Sequence, residues 1–203
     1  MEQYRLLLAE VGAFLKAQGF SKKGNTCYIQ KEGNFGLINF QKSISSTKHQ
    51  VKFTINIGVA SGFLLRAGIN GFIISGKPSI TDCHWKMRIG FLMPVKKDFW
   101  WEIDGVTPVG RMAEDIITNL QSLVIPEILR NISDKDLIEE WIQGRREGIT
   151  EFQRYVYLTI LLKFYQDERL ARVIEELKSY SKGTSIEIAA IEHLKELDLL
   201  AKA

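Results

Sequence analysis

The chain has few of the residues that commit a sequence to special chemistry. Two cysteines among 203 residues, Cys27 and Cys83, cannot build a disulfide framework, and they are expected to remain reduced thiols in a cytosol. Three histidines, His49, His84 and His193, are dispersed, and no CxxC pair accompanies them, so no metal site is predicted. Neither a GxxxxGK[ST] nor a GxGxxG loop is present, which removes the usual phosphate cradles, and no cofactor is predicted. No apolar run approaches the roughly 18 residues of a membrane span, and the first residues lack the layout of a signal peptide. The expectation is a cytoplasmic protein with no membrane partner. Acidic residues are the most informative scarcity. Between positions 20 and 97 only Glu32 and Asp82 oppose 12 lysines and arginines.

What is present is ordinary globular material, 45% hydrophobic and 25% charged. Its charge is divided. Residues 1–104 carry 14 basic and 7 acidic side chains, and residues 105–203 carry 13 and 17. A basic half points to an anionic partner, and a solvated basic face is the plainer alternative.

Periodicity divides the chain in the same place. Residues 3–18 form an amphipathic helix pattern closed by Gly19. Segments 26–30, 35–44, 51–60, 83–93 and 99–103 read as strands, clearest where Val51, Phe53, Ile55, Ile57 and Val59 alternate with Lys52, Thr54, Asn56 and Gly58. Residues 61–82, rich in glycine, read as a long connection with one helical turn at Phe63–Leu65. From Thr107 the pattern is helical, interrupted at Pro126. Thr150 with Gln153 and Thr184 with Glu187 have capping-box spacing. The predicted class is α+β: a mostly antiparallel sheet of four to five strands covered on one face by helices, with a C-terminal helical subdomain. The domains are placed at 1–145 and 146–203, with Arg145–Gly148 as the hinge.

If Val51, Phe53 and Ile55 face the core with Trp85, Ile89, Phe91 and Trp101, the opposite phase faces water. That phase holds the candidate ligand-binding residues Lys52, Asn56, His84, Lys86, Arg88 and Trp100, with Asn39 and Gln41 beside them. Cations and amides suit phosphate or a nucleic-acid strand, with Trp100 as a stacking platform. Catalysis centred on His84, with Asp82, Glu102 and Asp104 near the strand ends, is the remaining alternative. Cys83 falls on the buried phase, and no catalytic residue is assigned.

Several stretches carry a further signal: Gly33–Ser43, Phe53–Ser61, Asp82–Trp85, Arg88–Phe91 and Trp100–Asp104. In this order they resemble the bacterial domain-of-unknown-function family 4304, over roughly residues 5–142. The resemblance implies a bacterial or phage origin and a small stand-alone intracellular protein. It implies no activity, cofactor or catalytic residue. The sequence reading is therefore a non-enzymatic binding protein, immunity-type in one form, using its polar basic sheet face toward an unknown protein partner or anionic ligand. Nucleic-acid or phosphate binding is the alternative.

Overall fold

The computed structural model describes residues 2–67 and 76–199. The chain forms two compact units, Met1–Ser133 and Asp134–Ala203. Part of the 61–82 connection, including Gly68 and Gly71, lies outside the described residues.

The first unit opens with α1 (Glu2–Ala17), which buries Tyr4, Leu7, Val11 and Leu15. Then come β1 (Ser21–Lys23), β2 (Thr26–Lys31), β3 (Asn34–Lys42) and β4 (Val51–Ala60). The short helix α2 (Gly62–Arg66) is capped by Ser61, whose hydroxyl accepts from the Leu64 N–H. After it come β5 (Trp85–Arg88) and β6 (Trp101–Ile103). The strands form one antiparallel sheet in the order β1-β2-β3-β4-β5, and β6 pairs with the other end of β4. The fold is the α+β class read from the sequence, with six strands among the described residues. The extra strand is β1, three exposed residues that periodicity is too short to reveal.

β4 organises the sheet. Its apolar phase, Val51, Phe53, Ile55, Ile57 and Val59, is 0–2% exposed. Phe53 stacks on Trp101 and tilts against Tyr4, at ring separations of 5.6 and 5.1 Å. Helices α3 (Val109–Asn119) and α4 (Ile125–Asn131), with the stretch between them, add Ile116, Leu120, Val124 and Ile128 to the buried set. Pro126 does not interrupt this helical run. A π-helical stretch at Leu120–Val124 joins α3 to α4, and the proline stands at the start of α4, just past this shift in the hydrogen-bond ladder.

A second, smaller core lies on the opposite phase. Tyr28, Leu37, Ala60, Leu65 and Cys83 cluster there, with Phe35 and Ile80 against them. Gly58 makes this possible: a Cβ at that position would sit 2.6 Å from Cys83 Sγ and 2.9 Å from Ile80 Cδ1. Cys83 is therefore buried, but not in the Trp85 phase assigned from alternation, because it precedes β5 and sits over the sheet at Gly58. Gly58→Ala is expected to cost about 1–3 kcal/mol through overpacking, measured by urea denaturation. Unchanged stability would mean that the turn above Gly58 yields freely.

The 83–93 alternation also overruns the strand. β5 ends at Arg88, and Ile89–Phe91 form a 3-10 turn. Phe91, expected in the core, is 49% exposed. Gly90 explains the departure, since a Cβ there would lie 2.1 Å from the Lys97 carbonyl oxygen, so the chain folds back on itself at this point.

The second unit consists of α5 (Asp134–Ile142), α6 (Glu151–Phe164), α7 (Leu170–Ser181) and α8 (Glu187–Glu196). α6 is central and buries Leu158, Leu161 and Leu162, while Val173 and Leu177 of α7 and Leu194 of α8 complete the core. Thr150 and Gln153 form the expected capping box. Thr184 and Glu187 do not. Thr184 gives its hydroxyl to the Ser181 carbonyl, Glu187 reaches back to the Gly183 N–H, and α8 begins at Glu187 itself. The Arg145–Gly148 stretch lies inside this unit, with Arg145 on Glu140 and Arg146 on Glu151.

Candidate functional site

The polar phase of the sheet is set by register. Asn56 of β4 lies opposite Asn39 of β3 on one side and Arg88 of β5 on the other. Gln41 lies opposite Thr54, and Lys86 opposite Gly58. Cross-strand partners share a face, so these side chains converge although they come from three strands.

Their amides form a chain. Asn39 Nδ2 donates to Thr26 Oγ1 at 2.9 Å. Asn56 Nδ2 donates to Asn39 Oδ1 at 3.3 Å and to Gln41 Oε1 at 2.8 Å. Both amide hydrogens of Asn56 are thereby used. Asn56 is 8% exposed, and its Oδ1 has no partner among the described residues.

Beside the amides stands a cavity of about 230 Å³, lined by Gln41, Asn56, Ile80, Thr81, Lys86, Met87 and Arg88. Ile80 and Thr81 belong to the 3-10 turn Ile80–Asp82, which rests over Gly58 and forms one wall. Lys86 fastens that wall, with Nζ donating to the carbonyls of Thr81 at 3.1 Å and Cys83 at 3.2 Å. Asp82 holds the turn from within, accepting from the Ser79 N–H and hydroxyl at 2.7 and 2.6 Å. Arg88 pairs with Asp98 at 2.6 Å and lies 5.2 Å from the Trp100 ring centre, and Trp100 Nε1 donates to the same carboxylate at 2.9 Å.

Three of the six residues named from the sequence, Asn56, Lys86 and Arg88, thus line one concavity. Trp100 touches it only through Arg88 and does not line it. Lys52 is at the far end of β4, paired with Glu102 at 3.4 Å. His84 is not on the accessible face. It lies outside β5, 5% exposed, and its Nδ1 accepts the Ser61 N–H at 3.1 Å. Burial, reinforced by the Lys86 charge, pushes its pKa down to about 3 against a weaker upward pull from Asp82. The ring is a neutral structural acceptor at the end of β4. The carboxylates considered beside it are engaged elsewhere: Asp82 on Ser79, Glu102 on Lys52 and Gln50, Asp104 on Val106 and Thr107. Asp98, Ile80 and Thr81 went unnamed. Asp98 stands two residues from Trp100, the only sequence signal it carried, and the wall residues lie in the segment without periodicity.

The build is one antiparallel sheet with a larger core on one face and, on the other, a smaller core that includes Leu65 of α2 beside a polar concavity. The model of the family described as Domain of unknown function (DUF4304) matches residues 11–131, and the chain belongs to that family. No curated protein and no solved structure matches it. Among the described residues no helix is long and apolar enough to cross a membrane.

Proposed function

We propose that this chain is a non-enzymatic binding protein that engages an anionic group of its partner at the Asn56–Lys86–Arg88 concavity. The observation that carries this reading is the cavity itself, where two cations and a nearly buried amide meet in a recess of about 230 Å³. A recess with low-dielectric walls focuses potential more than a flat basic surface does. Lys86 has no carboxylate within ion-pair distance among the described residues, so the Arg88–Asp98 pair leaves one positive charge uncompensated. An immunity-type protein, which blocks another protein by occupying it, is one form such binding takes.

The test is the Lys86→Ala, Arg88→Ala double variant. Both side chains are only half-buried, so the melting temperature is expected to stay within a few degrees, about 1 kcal/mol for a unit of this size. Capture of partners from host lysate should fall for the variant relative to the unaltered chain, in samples with and without nuclease. Loss of the difference after nuclease treatment would favour a nucleic-acid partner, whose binding would also weaken steeply with salt. Equal capture by both proteins, with the fold intact, would remove this face from consideration.

A further inference from the structure

The cavity offers more than positive charge, and its chemistry narrows the ligand. Asn56 spends both amide hydrogens inside the sheet, leaving Oδ1 as an acceptor in a side chain that is 8% exposed. Gln41 accepts through Oε1, and its Nε2 hydrogens have no partner among the described residues. Asn56 Oδ1 is poorly served by a ligand made only of acceptor oxygens, because a ligand that covers this acceptor without pairing it takes it from water at a cost. The ligand must bring an N–H or O–H donor to Asn56 together with its anionic group.

Charge sets how much anion it brings. Lys86 and Arg88 contribute two positive charges, and Asp98, bound to Arg88 at 2.6 Å, removes one. The remaining single charge matches a carboxylate better than a dianionic phosphate. Ile80 supplies an apolar side chain to the lining. No aromatic residue is among the described lining residues, and Trp100 stands against Arg88 rather than in the cavity. A nucleobase would find no stacking surface there.

The geometry points to a peptide C-terminus as the ligand: its carboxylate on Lys86 and Arg88, its last backbone N–H on Asn56 Oδ1, its penultimate carbonyl on Gln41 Nε2, and an aliphatic last side chain against Ile80. This rests on the reading of the cavity as the anion-binding surface. One to two residues fill a recess of about 230 Å³, so recognition would be confined to the chain end.

The test is calorimetric titration of the full chain with four probes: N-acetyl-glycyl-leucine as the free acid, the same peptide as its C-terminal amide, the depsipeptide in which an ester oxygen replaces the last N–H, and adenosine monophosphate. The free acid should bind about tenfold or more tightly than the amide, since a charge-assisted contact is lost. The depsipeptide should bind about fivefold more weakly than the free acid, through the unpaired Asn56 acceptor. Lys86→Ala, Arg88→Ala should abolish the preference of acid over amide. Equal binding of acid, amide and depsipeptide would overturn the inference. So would tighter binding of the nucleotide, although nucleotide binding lost in the double variant would leave the anion-site reading standing. Binding of no probe, together with unchanged lysate capture by the double variant, would remove both.

Discussion

Replacing Ile55 by alanine is expected to lower the unfolding free energy by about 2–5 kcal/mol, among the largest losses available to a single substitution in this chain. Ile55 is fully buried and sits at a seam. β4 pairs with β6 through Phe53 and with β5 from Asn56 onward, so Thr54 and Ile55 have no outer strand beside them. The Thr54 hydroxyl bridges the gap, donating to the Phe99 carbonyl at 2.8 Å. Collapse around a truncated side chain is resisted on one side by Phe40, its cross-strand neighbour on β3, and on the other by the stacked Phe53–Trp101 pair. The cavity therefore stays open, which puts the expected cost in the upper part of the range. Chemical denaturation measures it. Ile44→Ala, at a fully exposed position, is the control and should stay within about 0.5 kcal/mol. A loss below 1 kcal/mol for Ile55→Ala would contradict the packing described.

The same strand shows how far the sequence could be read. Where a strand stays regular, alternation assigns each side chain to a face, and the two phases of β4 follow from ten residues; the phase expected to face water is nevertheless buried at Thr54 and Asn56. Alternation ceases to report the face where regular structure ends. Cys83 to Phe91 alternates without a break, yet β5 occupies only Trp85–Arg88. A period of two cannot register that Gly90 packs against the Lys97 backbone and turns the chain into a 3-10 turn, which swings Phe91 out of the core. His84 departs from the expected face for the same reason: one residue before β5 its side chain no longer obeys the strand phase, and it turns inward to the Ser61 N–H.

The site was legible only in part because its geometry is non-local. Asn56, Lys86 and Arg88 could be grouped from strand phase. The role of Gln41 depends on the β3–β4 register, which aligns it with Thr54 and within reach of Asn56. The cavity wall depends on the 3-10 turn lying over Gly58, and no pattern within residues 79–83 announces that contact. A polar phase is common to every half-buried sheet. What distinguishes this one is a glycine that lets a turn descend beside it.

Acid should destabilise the protein well before its carboxylates protonate. The folded state holds His84 neutral, with its pKa lowered by burial to about 3, against 6.5 when unfolded. Burial lowers His193 as well, whose Nε2 lies 2.7 Å from the Thr159 hydroxyl. Between the two values the unfolded chain binds more protons than the folded one, so stability rises with pH across this window. The contribution is complete above about pH 6.5 and is lost progressively as pH falls toward 3. For one such histidine the slope approaches about 1.4 kcal/mol per pH unit, so a drop from pH 7 to 4.5 costs about 2–3 kcal/mol. Glu151 and Asp167, whose pKa values are lowered mainly by side-chain hydrogen bonds from Arg154 and Arg169, add a loss of the same sign only below the ordinary carboxylate range. The interval from pH 6.5 to 5 therefore reports the histidines. His84→Asn separates them, because the asparagine Oδ1 can take the place of Nδ1 as acceptor for the Ser61 N–H without titrating. The readout is the slope of unfolding free energy against pH, not its absolute value, so a uniformly weaker variant still answers the question. The slope should flatten in the variant to the part due to His193. An unaltered slope between pH 6.5 and 5 would show that His84 is protonated in the folded protein, and that the end of β4 is held by something other than a neutral imidazole.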